Sequence, residues 1–172
     1  MDFASANVTS PCVEHFFANM RSGATPLIVL IALALLFTSG LPLFYRGRRV
    51  GRDGRIFEML KFRTLRRGAE ERLGPYLGPE LVDRTRAETT RLGRRLRATQ
   101  LDELPQLWNV LRGEMSLVGP RPHPLDDVAG YDSWHRRRLA MKPGITGLWQ
   151  VEGRREADFD RWVRYDLEYI DR

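Results

Sequence analysis

The sequence predicts a helix-rich α/β domain: a compact, membrane-associated body with an N-terminal apolar helix inserted in the bilayer, re-entrant or interfacial, and amphipathic helices at its surface. Three observations point that way. "PLIVLIALALLF" (Pro26 to Phe37) runs twelve residues without a charge. "RIFEMLKFRTL" alternates loosely, as a strand or a short helix does, and two later segments carry apolar residues at helical spacing. Hydrophobic residues make up 42% of the 172, which suits a folded chain with a core.

Residues 1–24 are mixed and mostly polar, without a period, and form an atypical N-terminal segment. Residues 25–45 hold the apolar run. Crossing a bilayer as a helix takes about twenty apolar residues, and runs of roughly 10–14 more often dip, lie flat or pack in a core. No basic stretch opens the chain and no small-x-small site follows the run, which argues against a secretory signal. "YRGRRVGRDGR" sets Arg46, Arg48, Arg49, Arg52 and Arg55 just beyond it. Basic residues at a membrane edge favour the cytoplasmic side and anionic headgroups. A buried helix of a soluble core is the alternative. Thr25-Pro26 also has two readings: a helix start, with Thr as N-cap and Pro in the first turn, or a break inside a membrane-dipping helix.

Residues 46–172 form the expected cytoplasmic domain. Residues 66–97 are highly charged and read as surface helices around the turn "GPYLGPE". Leu101, Leu104, Trp108 and Leu111 share one helical face. Pro105, tolerated in a helix's first turn, puts the start of that helix at Asp102, as N-cap. Gly113 suits the helix end, and Pro120, Pro122 and Pro124 impose an extended stretch. "MKPGITGLWQVEGR" reads as turns and short loops. Phe159, Trp162, Val163, Leu167 and Ile170 define the face of a last helix.

Lys and Arg number 28 against 22 Asp and Glu, for a net charge of +6 and an isoelectric point near 10.1. That balance admits nucleic acid, an anionic membrane surface or a phosphate-bearing substrate as partner. Apart from Lys61 and Lys142 every basic residue counted here is Arg, the better bidentate phosphate clamp; a genome rich in G and C produces the same skew. One cysteine, Cys12, forms no internal disulfide and fits a reducing compartment. No Walker spacing occurs. His15, His123 and His135 are too scattered for a His/Cys metal centre, and His123 reads as a surface residue.

Asp102 and Glu103 then hold the most chemistry. Free N–H groups and partial positive charge at a helix start attract phosphate and keep a carboxylate ionised. Such an Asp can attack phosphorus or hold Mg²⁺, with the Glu as base or second ligand. Lys61, Arg63, Arg121 and Arg154 are the fixed cations that phosphoryl transfer needs. The plain alternative is a solvated helix start among surface charges.

"RVGRDGRIFEMLKFRTL", "LDELPQLWNVLRGEMSLVGPRP" and "KPGITGLWQVEGR" occur in the order and spacing of the bacterial sugar transferases. From Thr25 onward the chain resembles these monotopic phosphoglycosyl transferases, of the small single-domain kind. The resemblance implies transfer of a sugar phosphate from a UDP-sugar to a polyprenyl phosphate such as undecaprenyl phosphate, with release of UMP. It further implies Mg²⁺ and a covalent phosphosugar–Asp intermediate. Asp102 would be the nucleophile and a Mg²⁺ contact, and Glu103 a base or positioning residue. Lys61, Arg63, Pro120, Arg121 and Pro122 would lie near the nucleotide, and Arg154 would contact phosphate. Thr25-Pro26 would be the break of the membrane helix, with Thr for the family's Ser. Gly47 stands where the family's usual residue is Gln, the segment before Thr25 is short and polar, and the chain stops at Arg172, where family members usually continue.

The partners so implied are a UDP-sugar, a polyprenyl phosphate and the cytoplasmic leaflet of the bacterial inner membrane. The output would feed exopolysaccharide, lipopolysaccharide or glycoprotein glycan assembly. Nucleic acid is not expected, and a homodimer is compatible. The competing readings are a truncated, weakly active or inactive copy of such an enzyme, or a non-catalytic basic protein that binds membrane or nucleic acid.

Overall fold

After Pro26 nothing up to Phe37 breaks a helix, and the segment winds into α1 (Thr25–Ser39). Pro26 occupies its first turn, where a missing N–H leaves no bond unmade. Ala24 already has helical angles (φ −74°, ψ −39°), so Thr25 is the first helical residue and not its cap. The computed structural model describes residues 23–73, 79–151 and 158–171. The polar segment up to residue 22, and Arg154, lie outside the described residues.

Fifteen residues make α1 about 22 Å long, and no described helix is long and apolar enough to cross a membrane. Its inner face buries Ile31 and Leu35 against Phe62 and Leu96. Val29, Leu30, Leu33, Leu36 and Phe37 face outward, the last 85% exposed. Of the two readings of the run, the buried core helix accounts for the first face only.

Gly40 (φ 65°) ends α1. The chain then forms an antiparallel hairpin, β1 (Phe44–Val50) against β2 (Ile56–Phe62), with Phe44 opposite Phe62 and Val50 opposite Ile56. Arg52–Arg55 closes it. Asp53 (φ 57°) and Gly54 (φ 77°) hold the two left-handed positions that match the twist of the strands, and Arg55 N–H donates to Arg52 O at 3.1 Å. The arginine-rich flank is therefore a strand and its turn. Val50 lies six residues beyond Phe44, about 20 Å along the strand, so Arg52 and Arg55 are not gathered at the end of α1.

The charged segment forms α2 (Ala69–Leu73), α3 (Pro79–Glu88) and α4 (Arg91–Thr99). Thr90 caps α4, its Oγ1 accepting from Gly93 N–H at 2.9 Å. Gln100, left-handed at φ 58°, ends α4 and turns the chain into a 3₁₀ turn, Leu101–Glu103. Only at Gln106 does α5 (Gln106–Leu111) begin, with Pro105 flanking it. This corrects two expectations. Asp102 is not the N-cap of α5, because the tight turn and Pro105 separate them. Trp108 and Leu111 are exposed, and α5 buries Gln106 and Asn109. Asn109 Oδ1 accepts from Leu60 N–H (3.0 Å) while its Nδ2 donates to Glu58 O (2.7 Å), pinning α5 on β2 through polar bonds.

A two-stranded parallel sheet pairs β3 (Ser116–Val118) with β4 (Gly144–Thr146). "VGPRP" and "KPGITG" meet here. Gly119 N–H donates to Thr146 O and Gly144 N–H to Pro120 O, both at 2.9 Å. A Cβ on Gly144 would stand 2.1 Å from Gly119 N, so this approach requires glycine. Beyond lie α6 (Leu125–Ala129), α7 (Ser133–Arg136), a 3₁₀ turn, α8 (Leu148–Val151) and α9 (Phe159–Asp171). Val163 and Leu167 of α9 are buried, and Phe159 packs on Val50, Val128 and Tyr131. Helix-rich α/β describes the described residues.

Candidate active site

The strand alternation of the hairpin turns Tyr45, Gly47 and Arg49 of β1 to the same side as Met59 and Lys61 of β2. With the Leu101–Glu103 turn and the loop after β3, that side bounds a cavity of about 840 Å³. Lys61, Arg63, Asp102, Glu103 and Arg121 all line it. Pro122 lines a smaller adjoining cavity of about 240 Å³. Pro120 is buried behind the loop, at Gly144. Thr25 and Pro26 lie at the start of α1, outside the cavity lining.

Asp102 is only 8% exposed. Desolvation raises its pKa above the ordinary aspartate value. Lys61 and Arg97 oppose that shift, Glu103 adds to it, and its own backbone N–H bonds to the carboxylate. Glu103 Oε1 accepts from Lys61 Nζ at 2.6 Å, a pair about three-quarters shielded from solvent. Arg97 Nε donates to Thr64 Oγ1 at 2.8 Å, and burial lowers its pKa against the pull of Asp102.

Arg63 does two things. It lines the cavity, yet its Nη2 donates to Ser39 O (2.6 Å) and Gly40 O (2.7 Å), covering the end of α1. Its Nε and Nη1 have no hydrogen-bond partner among the described residues. Arg121 lies over the Trp149 ring at 4.3 Å and near the Trp162 ring at 5.9 Å. Desolvation lowers its pKa, and Glu103 opposes the shift.

Arg121 is held through its backbone. Arg138 Nη2 donates to Arg121 O at 3.2 Å and to Asp166 Oδ2, and Asp166 also accepts from the backbone of Arg121. Arg138 Nη1 donates to the Tyr131 hydroxyl at 2.8 Å. Burial pushes Asp166 up to about 6, with Arg138 and the Arg121 N–H pulling it down. Sequence reasoning missed both Asp166 and Arg138, as well as Arg49, Arg97 and Trp149.

His123 is buried, not on the surface. Desolvation, with Arg138, Arg121 and Arg49 nearby, lowers its pKa to about 2, so the ring is neutral. The physical reason is the bridge between Val50 and His123, which draws the residue under β1. Tyr45 lies against Gly47, where an added Cβ would come within 2.9 Å of its ring. The glycine lets that aromatic face rest on the strand.

Among the described residues, five cations (Arg49, Lys61, Arg63, Arg97, Arg121) and two carboxylates line the cavity, whose other walls include Leu65, Leu73 and Leu81. Such a volume suits a small-molecule ligand, and its charge suits a polyanion. No group of three or more His, Cys, Asp or Glu that could hold a metal occurs among the described residues. Two adjacent carboxylates do fit Mg²⁺, which protein sites commonly hold through one or two carboxylates plus substrate phosphates.

A family model described as "Bacterial sugar transferase" matches residues 11–172. The chain is 42% identical over 153 residues to the galactosyl transferase CpsE of Streptococcus agalactiae, covering 84% of this chain and 34% of that protein. It is 40% identical to the exopolysaccharide production protein ExoY of Rhizobium meliloti, over 85% of this chain and 69% of that one. To the undecaprenyl-phosphate galactose phosphotransferase of Salmonella typhimurium it is 40% identical, over 86% and 33%. The chain thus spans about a third of the first and third of these relatives. A match over nearly its whole length places it: the chain belongs to the bacterial sugar transferase family.

Proposed function

We propose that the protein transfers a sugar phosphate from a UDP-sugar to undecaprenyl phosphate, releasing UMP, on the cytoplasmic face of the bacterial inner membrane. The observation that carries this reading is the meeting of Asp102, Glu103, Lys61 and Arg121 on one cavity. Relatives named as an undecaprenyl-phosphate galactose phosphotransferase and a UDP-glucose:undecaprenyl-phosphate glucose-1-phosphate transferase support the substrate classes.

In this mechanism an Asp102 oxygen attacks the sugar-linked phosphorus. The Asp–O–P bond forms as the P–O bond to the α-phosphate breaks, and UMP leaves with that oxygen and its electron pair. An oxygen of undecaprenyl phosphate then attacks the same phosphorus, freeing Asp102 and making the polyprenyl diphosphate sugar. Lys61, fixed by Glu103, and Arg121, stacked on Trp149, stabilise the charge spread over the moving phosphoryl group. Glu103, anchored by that ion pair, acts as a positioning residue for Lys61. Burial of Asp102 makes its oxygen more basic and a stronger nucleophile once ionised. Asp102 would hold Mg²⁺ together with substrate phosphates; the ion supplies charge neutralisation to the diphosphate. The leucine wall supports an acceptor with a hydrocarbon part, and the outward face of α1 supports insertion in the bilayer.

Incubating the full chain in membranes or detergent with UDP-sugars, Mg²⁺ and undecaprenyl phosphate tests the proposal. UMP should appear with wild type and vanish with Asp102→Asn. Activity retained in that variant removes Asp102 as nucleophile. No UMP from any UDP-sugar returns the protein to the inactive or purely binding readings.

A further inference from the structure

Away from the catalytic cavity, a second concavity of about 520 Å³ opens at the C-terminal end of α1. Thr38 and Ser39, the last residues of the helix, form one side, and Arg66, Arg67, Thr90 and Arg91 form the other. All three arginines are exposed, and no carboxylate lines the concavity among the described residues. The acid that senses Arg66 is Glu88, and Arg72 takes both of its oxygens, at 2.9 and 2.7 Å. Closing the helix end is not what these arginines do, because Arg63 already donates to Ser39 O and Gly40 O. The last two turns of the helix carry the exposed Leu33, Leu36 and Phe37, and Leu41 adds an exposed apolar residue just beyond it.

We propose that this concavity is a binding site for the phosphate of an anionic membrane phospholipid, with Arg66, Arg67 and Arg91 as its donors. The inference rests on α1 lying in the bilayer. An apolar helix ending at a cationic pocket that no described carboxylate lines matches, in order, the acyl and headgroup layers of a leaflet. Arginine forks pair bidentately with phosphate oxygens, and each basic residue at an anionic surface contributes measurably to binding. The site would fix how deep and at what tilt α1 sits, and with it the height of the catalytic cavity above the membrane.

The test is vesicle co-sedimentation of the full chain on neutral phosphatidylcholine and on phosphatidylcholine with about one-third phosphatidylglycerol, an anionic surface that attracts basic residues. Wild type should bind both and prefer the anionic vesicles. Combined Arg66→Gln, Arg67→Gln and Arg91→Gln should weaken anionic-vesicle binding by on the order of 10²-fold and leave neutral binding in place. Arg48→Gln, Arg52→Gln and Arg55→Gln remove equal charge from the hairpin and should keep most of the preference. The proposal fails if the pocket variant keeps its preference, or if the hairpin variant loses as much. It also fails if the pocket variant raises KM for undecaprenyl phosphate in neutral detergent, which would assign the site to the acceptor. Wild type that binds neither vesicle overturns the membrane reading itself, and this site with it.

Discussion

The proposed attack on phosphorus requires Asp102 to be ionised, and desolvation holds its pKa above the ordinary aspartate value of about 4. Rate is therefore lost, as pH falls, at a higher pH than an exposed aspartate would give. Arg97 and Lys61 lower that pKa, so Arg97→Gln should move the acid limb of kcat/KM upward; a limb that stays or moves down removes Arg97 from that role. At Arg121 the planar guanidinium lies over Trp149, which a lysine ammonium cannot reproduce as well. Arg121→Lys should lower kcat/KM by about 10- to 100-fold in the UMP assay.

Among the elements, the loop bearing Arg121 depends on two supports. One is the glycine contact between β3 and β4. A Cβ on Gly144 would strike the Gly119 backbone, so Gly144→Ala should destabilise the fold by about 1–3 kcal/mol or more, read as a lowered denaturation midpoint. The other is the Arg138–Asp166 pair, both about 2% exposed or less. Asp166→Asn leaves a buried guanidinium without its counter-ion and should cost about 3–5 kcal/mol in chemical denaturation. Only the motifs of the first support were legible: "GPRP" reads as an extended stretch and "KPGITG" as turns and short loops, and their pairing as β3 and β4 leaves no local signal in three-residue strands. The second was not, because helical periodicity registers apolar residues. Asp166 is a charge on the buried side of α9, and only a partner 28 positions away makes that tolerable. For the same reason Asn109, the polar pin of α5, was read past in favour of Trp108, and Asp102 was assigned to the wrong turn. The hairpin was missed although Asp53-Gly54 marks it, because a run of arginines masks the alternation that betrays a strand.

Over the whole molecule, the cavity gathers residues from β1, β2, the 3₁₀ turn and the loop after β3. Their identities were readable in sequence and their mutual placement was not. The split character of α1 belongs to this scale as well. Leu30, Leu33 and Phe37 contribute little to the folded core, being outward, but each would bury apolar area in a bilayer. Replacing all three by Gln, a helix former comparable to Leu, should leave the unfolding transition nearly unchanged and cut partition onto neutral vesicles by at least about 10²-fold, given roughly 1.5–3 kcal/mol per buried large apolar side chain. A variant that sediments with vesicles as wild type does would separate α1 from membrane attachment.

The inner face of α1 has a practical consequence for anyone seeking a water-soluble form of the protein. Cutting the chain after Gly40 would bare Phe62 and Leu96 and leave Arg63 without the carbonyls it caps. The excised body would be damaged beside the candidate active-site cavity. Repainting the outward residues of the helix, with its inward ones kept, is the route that preserves the fold around the cavity.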